Sequence, residues 1–209
     1  MYHAGQRSLQ DRFASRALAD RLDEKLRRST FNDADQAFVD SSPFFFLATA
    51  DSDGNPDCSF KGGVPGFVRI VAPDRLVWPD YDGNGMFRSL GNIDVNPSVG
   101  LLFMRVGDRP GRLRINGKAT LSMDDPLIKT FPGAQMLVSV TPTDIFPNCP
   151  RYIPQMEVIA PSIYAPLPQT PPVEPAWKTM DMFKDVVPPR AGSVLVESPK
   201  REKQARPLS

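Results

Sequence analysis

Histidine is almost absent from this chain of 209 residues, which holds one, His3. A Ser–His–Asp triad, a histidine-based metal site and a histidine general base in the core are all excluded. Any chemistry must come from other side chains or from a cofactor. Cysteine is nearly as scarce: Cys58 and Cys149 lie far apart and no CxxC pair occurs, which argues against structural zinc. In a reducing compartment the two are expected to be free thiols, Cys149 buried and inert. No charge predominates, with 25 Lys+Arg against 24 Asp+Glu, so the broad basic field of a nucleic-acid binder is missing and no such partner is expected. No apolar run approaches the roughly 18–20 residues of a membrane span. The first residues, MYHAGQRSLQDRF, carry charges every few positions and no apolar signal core; the expectation is a cytoplasmic protein with no membrane partner. Asp80 and Asp82 lack the Asp-x-Asp-x-Asp spacing and distal Glu of a calcium loop, so no metal site is expected.

What is present is an apolar fraction of 41%, enough for a globular core, and 23 prolines concentrated after Thr141. Leu9, Phe13, Ala17, Leu22 and Leu26 recur at helical spacing and predict one amphipathic helix over 8–28. Asn32 predicts the cap of a second helix over Asp33–Asp40, ended by Ser41-Ser42-Pro43. The period then changes. Phe44–Thr49 is a compact β-prone run, with all three phenylalanines expected in the core. Asp51–Pro56 is a dense turn signal, and Asp57–Lys61 returns as a hairpin. Phe67–Val71 and Arg75–Trp78 predict a second hairpin. A helix over Met86–Asp94 places Leu90 and Ile93 inward. Ser98–Arg105 and Arg112–Leu121 predict two strands, in which Gly117 marks a bulge or a close approach. Asp124–Phe131 reads as a short helix and Gln135–Thr141 as the last core strand. The links are too short for crossovers, which favours an antiparallel barrel over βαβ units. Pro161–Pro175 reads as an extended arm and 198–209 as a solvated tail.

The stretch Gly62–Leu121, GGVPGFVRI…DRLVWPDYDGNGMFRSLGNIDVNPSVGLLF…GRLRINGKATL, resembles the pyridoxamine 5′-phosphate oxidase-like, FMN-binding split-barrel family over Phe44–Tyr152. The resemblance implies a mainly β chain: a six- to seven-stranded antiparallel split β-barrel over 41–152, N-terminal helices over 1–40 packed on it, and a Pro-rich C-terminal arm over 153–209. It implies FMN at a homodimer interface and oxidoreduction of a small-molecule substrate. Non-catalytic flavin binding, or a deazaflavin or haem in the same barrel, are the alternatives. Asn84 and Gly85 precede a helix whose N-terminus suits a phosphate, with Arg88 and Ser89 in its first turn. By resemblance, Ser59, Phe60, Lys61, Trp78, Pro79 and Asp80 line the isoalloxazine and ribityl groups. Arg112, Arg114 and Arg151 reach the neighbouring subunit's cofactor. The oxidases proper carry a paired Arg-Lys where this chain has Arg88-Ser89, and a C-terminal Arg-x-His that it lacks, so pyridoxamine 5′-phosphate oxidation itself is not expected.

Overall fold

The structure is a computed structural model that describes residues 2–188 and the backbone of 194 and 195; the expected solvated tail lies outside the described residues. Seven strands form one antiparallel sheet: β1 (Phe44–Ala50), β2 (Pro56–Gly62), β3 (Arg69–Ala72), β4 (Arg75–Tyr81), β5 (Ser98–Arg105), β6 (Gly111–Ser122) and β7 (Ala134–Asn148). Their order is β2-β1-β5-β6-β7-β4-β3. This is the mainly β, split-barrel architecture expected. Helices α1 (Ala4–Arg12), α2 (Arg16–Leu26) and α3 (Asp33–Asp40) precede the sheet, and α4 (Arg88–Val95) lies between β4 and β5.

Alternation along the strands sorts the side chains into a core and an outer face. On β1, Phe45 and Leu47 are fully buried, whereas Phe44 and Phe46 stand half-buried on the opposite side. The phenylalanine run is therefore split between two environments, not wholly core, because a strand turns successive side chains to opposite faces. Phe45 is the centre of the interior: its ring packs 5.0 Å from Phe103, 5.2 Å from Trp78 and 6.0 Å from Phe67. Phe67 and Val68 belong to the β2–β3 loop rather than to the strand expected there, yet both are buried and fill the core between the sheet's two edge strands.

The helix expected over 8–28 is two helices. Ala14 takes a left-handed conformation (φ 50°). Its N–H bonds Asp11 O and the Ser15 N–H bonds Gln10 O, the paired closure of a Schellman motif without its usual glycine. Leu9, Phe13, Leu18 and Leu22 remain exposed on these two helices. The third helix is as expected: Asn32 and Asp35 form a reciprocal capping box, and Val39 joins the core.

β7 runs to Asn148, well past the expected end at Thr141. Its first half is paired on both sides. Beyond Val140 its ladder is with β6 alone, so Pro142 and Pro147 are accommodated there as on an edge strand. Ile145 exchanges both backbone bonds with Arg28 on the open side. Pro147, two residues on, turns its donorless nitrogen to the same side and removes no bond from the β6 ladder. Thr143 is left without a ladder partner at the β-bulge between Asn116 and Gly117, where the sequence placed one.

The proline-rich arm is less extended than expected. The Gly107 N–H in the β5–β6 turn bonds Met156 O. The chain then folds back as a short strand β8 (Val173–Glu174), paired in parallel with β9 (Val194–Leu195), and a 3₁₀ turn over Ala176–Thr179. Among the described residues no helix is long and apolar enough to cross a membrane.

Candidate cofactor site

Strand β2 and the first turn of α4 meet at the edge of the barrel. On β2, Asp57, Ser59 and Lys61 share one half-buried face. Ser59 Oγ lies 2.9 Å from Ser89 Oγ, the Ser89 hydroxyl donates to Asp57 Oδ2 at 3.3 Å, and Arg88 Nε stands 3.6 Å from Asp57 Oδ1. The approach to the helix is made by a turn in which Asn84 Oδ1 accepts the Met86 N–H at 3.0 Å. Gly85 (φ 73°) and Phe87 (φ 48°) both adopt left-handed conformations there. Phe87, as N-cap, offers no side-chain acceptor to the helix. The first amides of α4 are thus left for another acceptor, beside two hydroxyls and a guanidinium that is 67% exposed and free to turn. An anion fits this corner on three counts: helix dipole, oriented donors and Arg88. Asp57 takes part of Arg88's charge, and an arriving phosphate competes with it for the guanidinium.

Lys61 continues the β2 face toward β4. Burial raises the Asp80 carboxyl above its ordinary value. The Gln135 Nε2 bond to Oδ2 (2.7 Å) and the Lys61 charge pull it down, and Asp82 adds to the rise. The net direction is up, so the carboxylate is held at a cost. For a carboxyl whose folded value is raised, that cost is absent below the unfolded value and grows as pH rises through the folded one. Asp80→Asn keeps an acceptor for Gln135 and removes the cost. It should raise the melting temperature at pH 7 by about 2 °C, kept small by partial exposure, with no gain at pH 3. Calorimetry at the two pH values checks this, and an equal gain at both would sink it.

The expected site residues separate into four groups. Ser59, Lys61, Asp80, Asn84, Gly85, Arg88 and Ser89 gather around the β2–β4–α4 corner. Trp78 and Pro79 are buried within β4, Trp78 only 1% exposed against Phe45; the Trp78 side chain is committed to the core and leaves only its backbone near the corner. Phe60, between Ser59 and Lys61 in sequence, points the other way. It is 61% exposed on the outer face of the sheet and stacks on Phe44 at 5.3 Å. Arg112 donates to Cys149 O from Nε (3.1 Å) and Nη2 (2.5 Å), and Arg114 stands on the exposed side of β6 between Leu102 and Phe146. Among the described residues, Arg112, Arg114 and Arg151 make no hydrogen bond or ion pair with the corner. Cys149 is exposed rather than buried, because it follows the end of β7; Cys58 is also a free, exposed thiol.

Asp57 was missed by the sequence reading, although its period-two spacing with Ser59 and Lys61 carries the signal. Asp82 and its partners on the arm were missed for a different reason. Lys178 Nζ lies 2.5 Å from Asp82 Oδ2 and 2.9 Å from Glu174 Oε2, and the Asp82 contact spans 96 residues of chain.

No curated protein matches the chain. The solved structures similar to this chain include three from different bacteria. HupZ of Group A Streptococcus is 16% identical, covering 56% of this chain and 93% of its own, TM-score 0.45. HutZ, the heme-storage protein of Vibrio cholerae, is 16% identical, covering 54% and 90%, TM-score 0.40. An FMN-binding protein of Syntrophomonas wolfei is 12% identical, covering 68% and 96%, TM-score 0.38. The assignment rests on sequence: residues 31–158 match the family model described as pyridoxamine 5′-phosphate oxidase. That span carries α3, α4 and all seven strands of the sheet, and the chain belongs to the pyridoxamine 5′-phosphate oxidase-like split-barrel family.

Proposed function

We propose that this chain binds FMN and works as an FMN-dependent oxidoreductase of a small molecule, as a homodimer. The observation that carries the reading is the anion-ready corner where the uncapped N-terminus of α4 meets Ser59, Ser89 and Arg88. Bound there, FMN would supply hydride chemistry at its ring N5. The chain's own residues would bind and orient it. Arg88, the α4 amides and the two serine hydroxyls would hold the phosphate. Lys61 and Asp80 would stand beside the ribityl and ring end, offering a cation and a carboxyl of raised proton affinity.

Dimerisation is supported by the outer face of the sheet. Phe60, Phe46, Leu102, Arg114 and Phe146 are register partners in one transverse row across β2, β1, β5, β6 and β7. Phe44 and Met104 extend it. A broad apolar face on a sheet invites burial, and a second copy would place Arg112 and Arg114 toward its neighbour's cofactor.

Absorbance from 300 to 600 nm with added FMN, after desalting, is the direct test: flavin bands near one per subunit support the reading, and no bands with no titration signal remove it. Arg88→Ala should weaken FMN binding about tenfold or more, since a charge-assisted bond to phosphate is worth about 1.5–3 kcal/mol. Unchanged affinity would remove Arg88 from the site. Sedimentation of a monomer that retains FMN would overturn the shared-site arrangement.

A further inference from the structure

Between the loop that leads from β4 into α4 and the folded-back arm lies a cavity of about 320 Å³. Its floor is Tyr81–Asn84 and its walls come from the arm, among them Tyr164, Pro166, Pro171, Val173 and Trp177. The arm wall lies beyond residues 31–158, outside the family match. The size is at the lower end of small-molecule pockets, and the lining is what such pockets use: apolar and aromatic surface with a few convergent polar groups.

The wall is held in place. Lys178, its side chain 9% exposed, bridges Asp82 of the floor and Glu174 of the arm. Burial works against its charge, but the two carboxylates outweigh this and hold the ammonium above its usual range. Trp177 is braced edge-on by Phe183 at 5.7 Å. Four prolines in the wall (166, 171, 172 and 175) fix the backbone before any ligand arrives, so little ordering entropy remains to oppose binding.

The lining also defines what fits. Asp82 is the one ionisable acid or base of ordinary charge at neutral pH in it, and its carboxylate is engaged by Lys178. An ionised ligand would lose its hydration with no free counter-charge in the lining. Tyr164 and Trp177 bring aromatic rings to the lining, which favours a flat partner. Asn84 and Thr170 bring polar side chains to the lining; burial pushes the phenol of Tyr81, also in the lining, up to about 12, against a smaller opposing pull from Arg69, so it stays protonated and uncharged.

We infer that the arm builds the substrate chamber of the proposed cofactor site, and that its ligand is a flat, uncharged ring compound with one or two polar substituents. The inference rests on the cofactor reading for the word substrate; the pocket and its ligand class stand on the cavity alone. The test is equilibrium dialysis of the full chain against 2-naphthol, with naphthalene-2-sulfonate as its anionic counterpart and cyclohexanol as a non-planar alcohol. 2-Naphthol should bind at least tenfold more tightly than either. Trp177→Ala and Lys178→Met should each weaken it at least tenfold. Ala165→Phe, which adds a ring at a residue of the lining, should abolish it while the circular-dichroism melt stays unchanged. FMN titrated into the same samples should bind all variants within twofold of the parent chain. Equal binding of the three probes, or 2-naphthol binding that survives Ala165→Phe, overturns the pocket. 2-Naphthol binding without FMN binding keeps the pocket and discards the cofactor reading; FMN binding without 2-naphthol does the reverse.

Discussion

Phe45→Ala should remove about 4 kcal/mol of unfolding free energy, a large part of the roughly 5–15 kcal/mol available to a domain. The side chain is fully buried, and its ring is the common neighbour of Phe67, Trp78 and Phe103. These come from the β2–β3 loop, β4 and β5, so the void opens where three parts of the barrel converge. Collapse into it would require the strands themselves to move, and close-packed interiors resist that. Urea unfolding followed by circular dichroism measures the loss; a change below about 1 kcal/mol would mean that the site repacks and that Phe45 is not the centre of the core. Phe46→Ala, one residue along on the opposite face, is the internal control. It should cost dilute protein little. If the outer face meets a second copy, its effect should grow as protein concentration rises.

Gly117→Ala should cost about 3 kcal/mol, through crowding rather than through loss. A Cβ built at Gly117 would lie 2.4 Å from Thr141 O, 2.8 Å from Val140 Cγ1 and 3.1 Å from Pro142 Cα. The nearest of these is backbone, held in the β6–β7 ladder where Thr141 pairs with Lys118, so it cannot swing aside as a side-chain tip would. The bulge at this position has to open or the two strands have to part. Chemical denaturation again gives the number, and a change within about 0.5 kcal/mol would show that the ladder yields more easily than its geometry implies. Displacement here also bears on function: Arg112 and Arg114 lie on the same strand, so under the dimer proposal FMN affinity should fall along with stability.

The parts of the fold that sequence reading recovered are those decided within a few residues. The β1–β2 hairpin is written in Asp51–Pro56: Asp51 Oδ1 accepts the N–H groups of Asp53 and Asn55 at 3.0 and 2.9 Å, and Gly54 takes a positive φ. The α3 cap and the inward Leu90 and Ile93 of α4 are local in the same way. The break between α1 and α2 was not legible, because alanine at a left-handed position leaves no mark of the kind glycine does. The second half of β7 was hidden by Pro142 and Pro147, residues that argue against a strand until its outer side is known to be open. At the site, the Ser59–Ser89 and Asp57–Arg88 contacts join residues 30 or so apart, and only the fold brings them together. The family resemblance pointed to the corner; alternation along β2 then parted Phe60 from its neighbours. The arm chamber had no sequence signal, since a lysine, an aspartate and several prolines define a pocket only once Lys178 has met Asp82.

The chain's two tryptophans give it two built-in optical reporters. Trp78 is sealed in the barrel against Phe45, and Trp177 is half-exposed in the arm against Phe183. Emission from the first should be blue and insensitive to soluble quenchers, and emission from the second red and accessible to them. The barrel and the arm can therefore be followed separately in one unlabelled sample. In the parent chain, detachment of the arm and melting of the barrel would read out as two colours on one temperature scan, and Trp177→Phe, which leaves only the core signal, would identify the barrel's share.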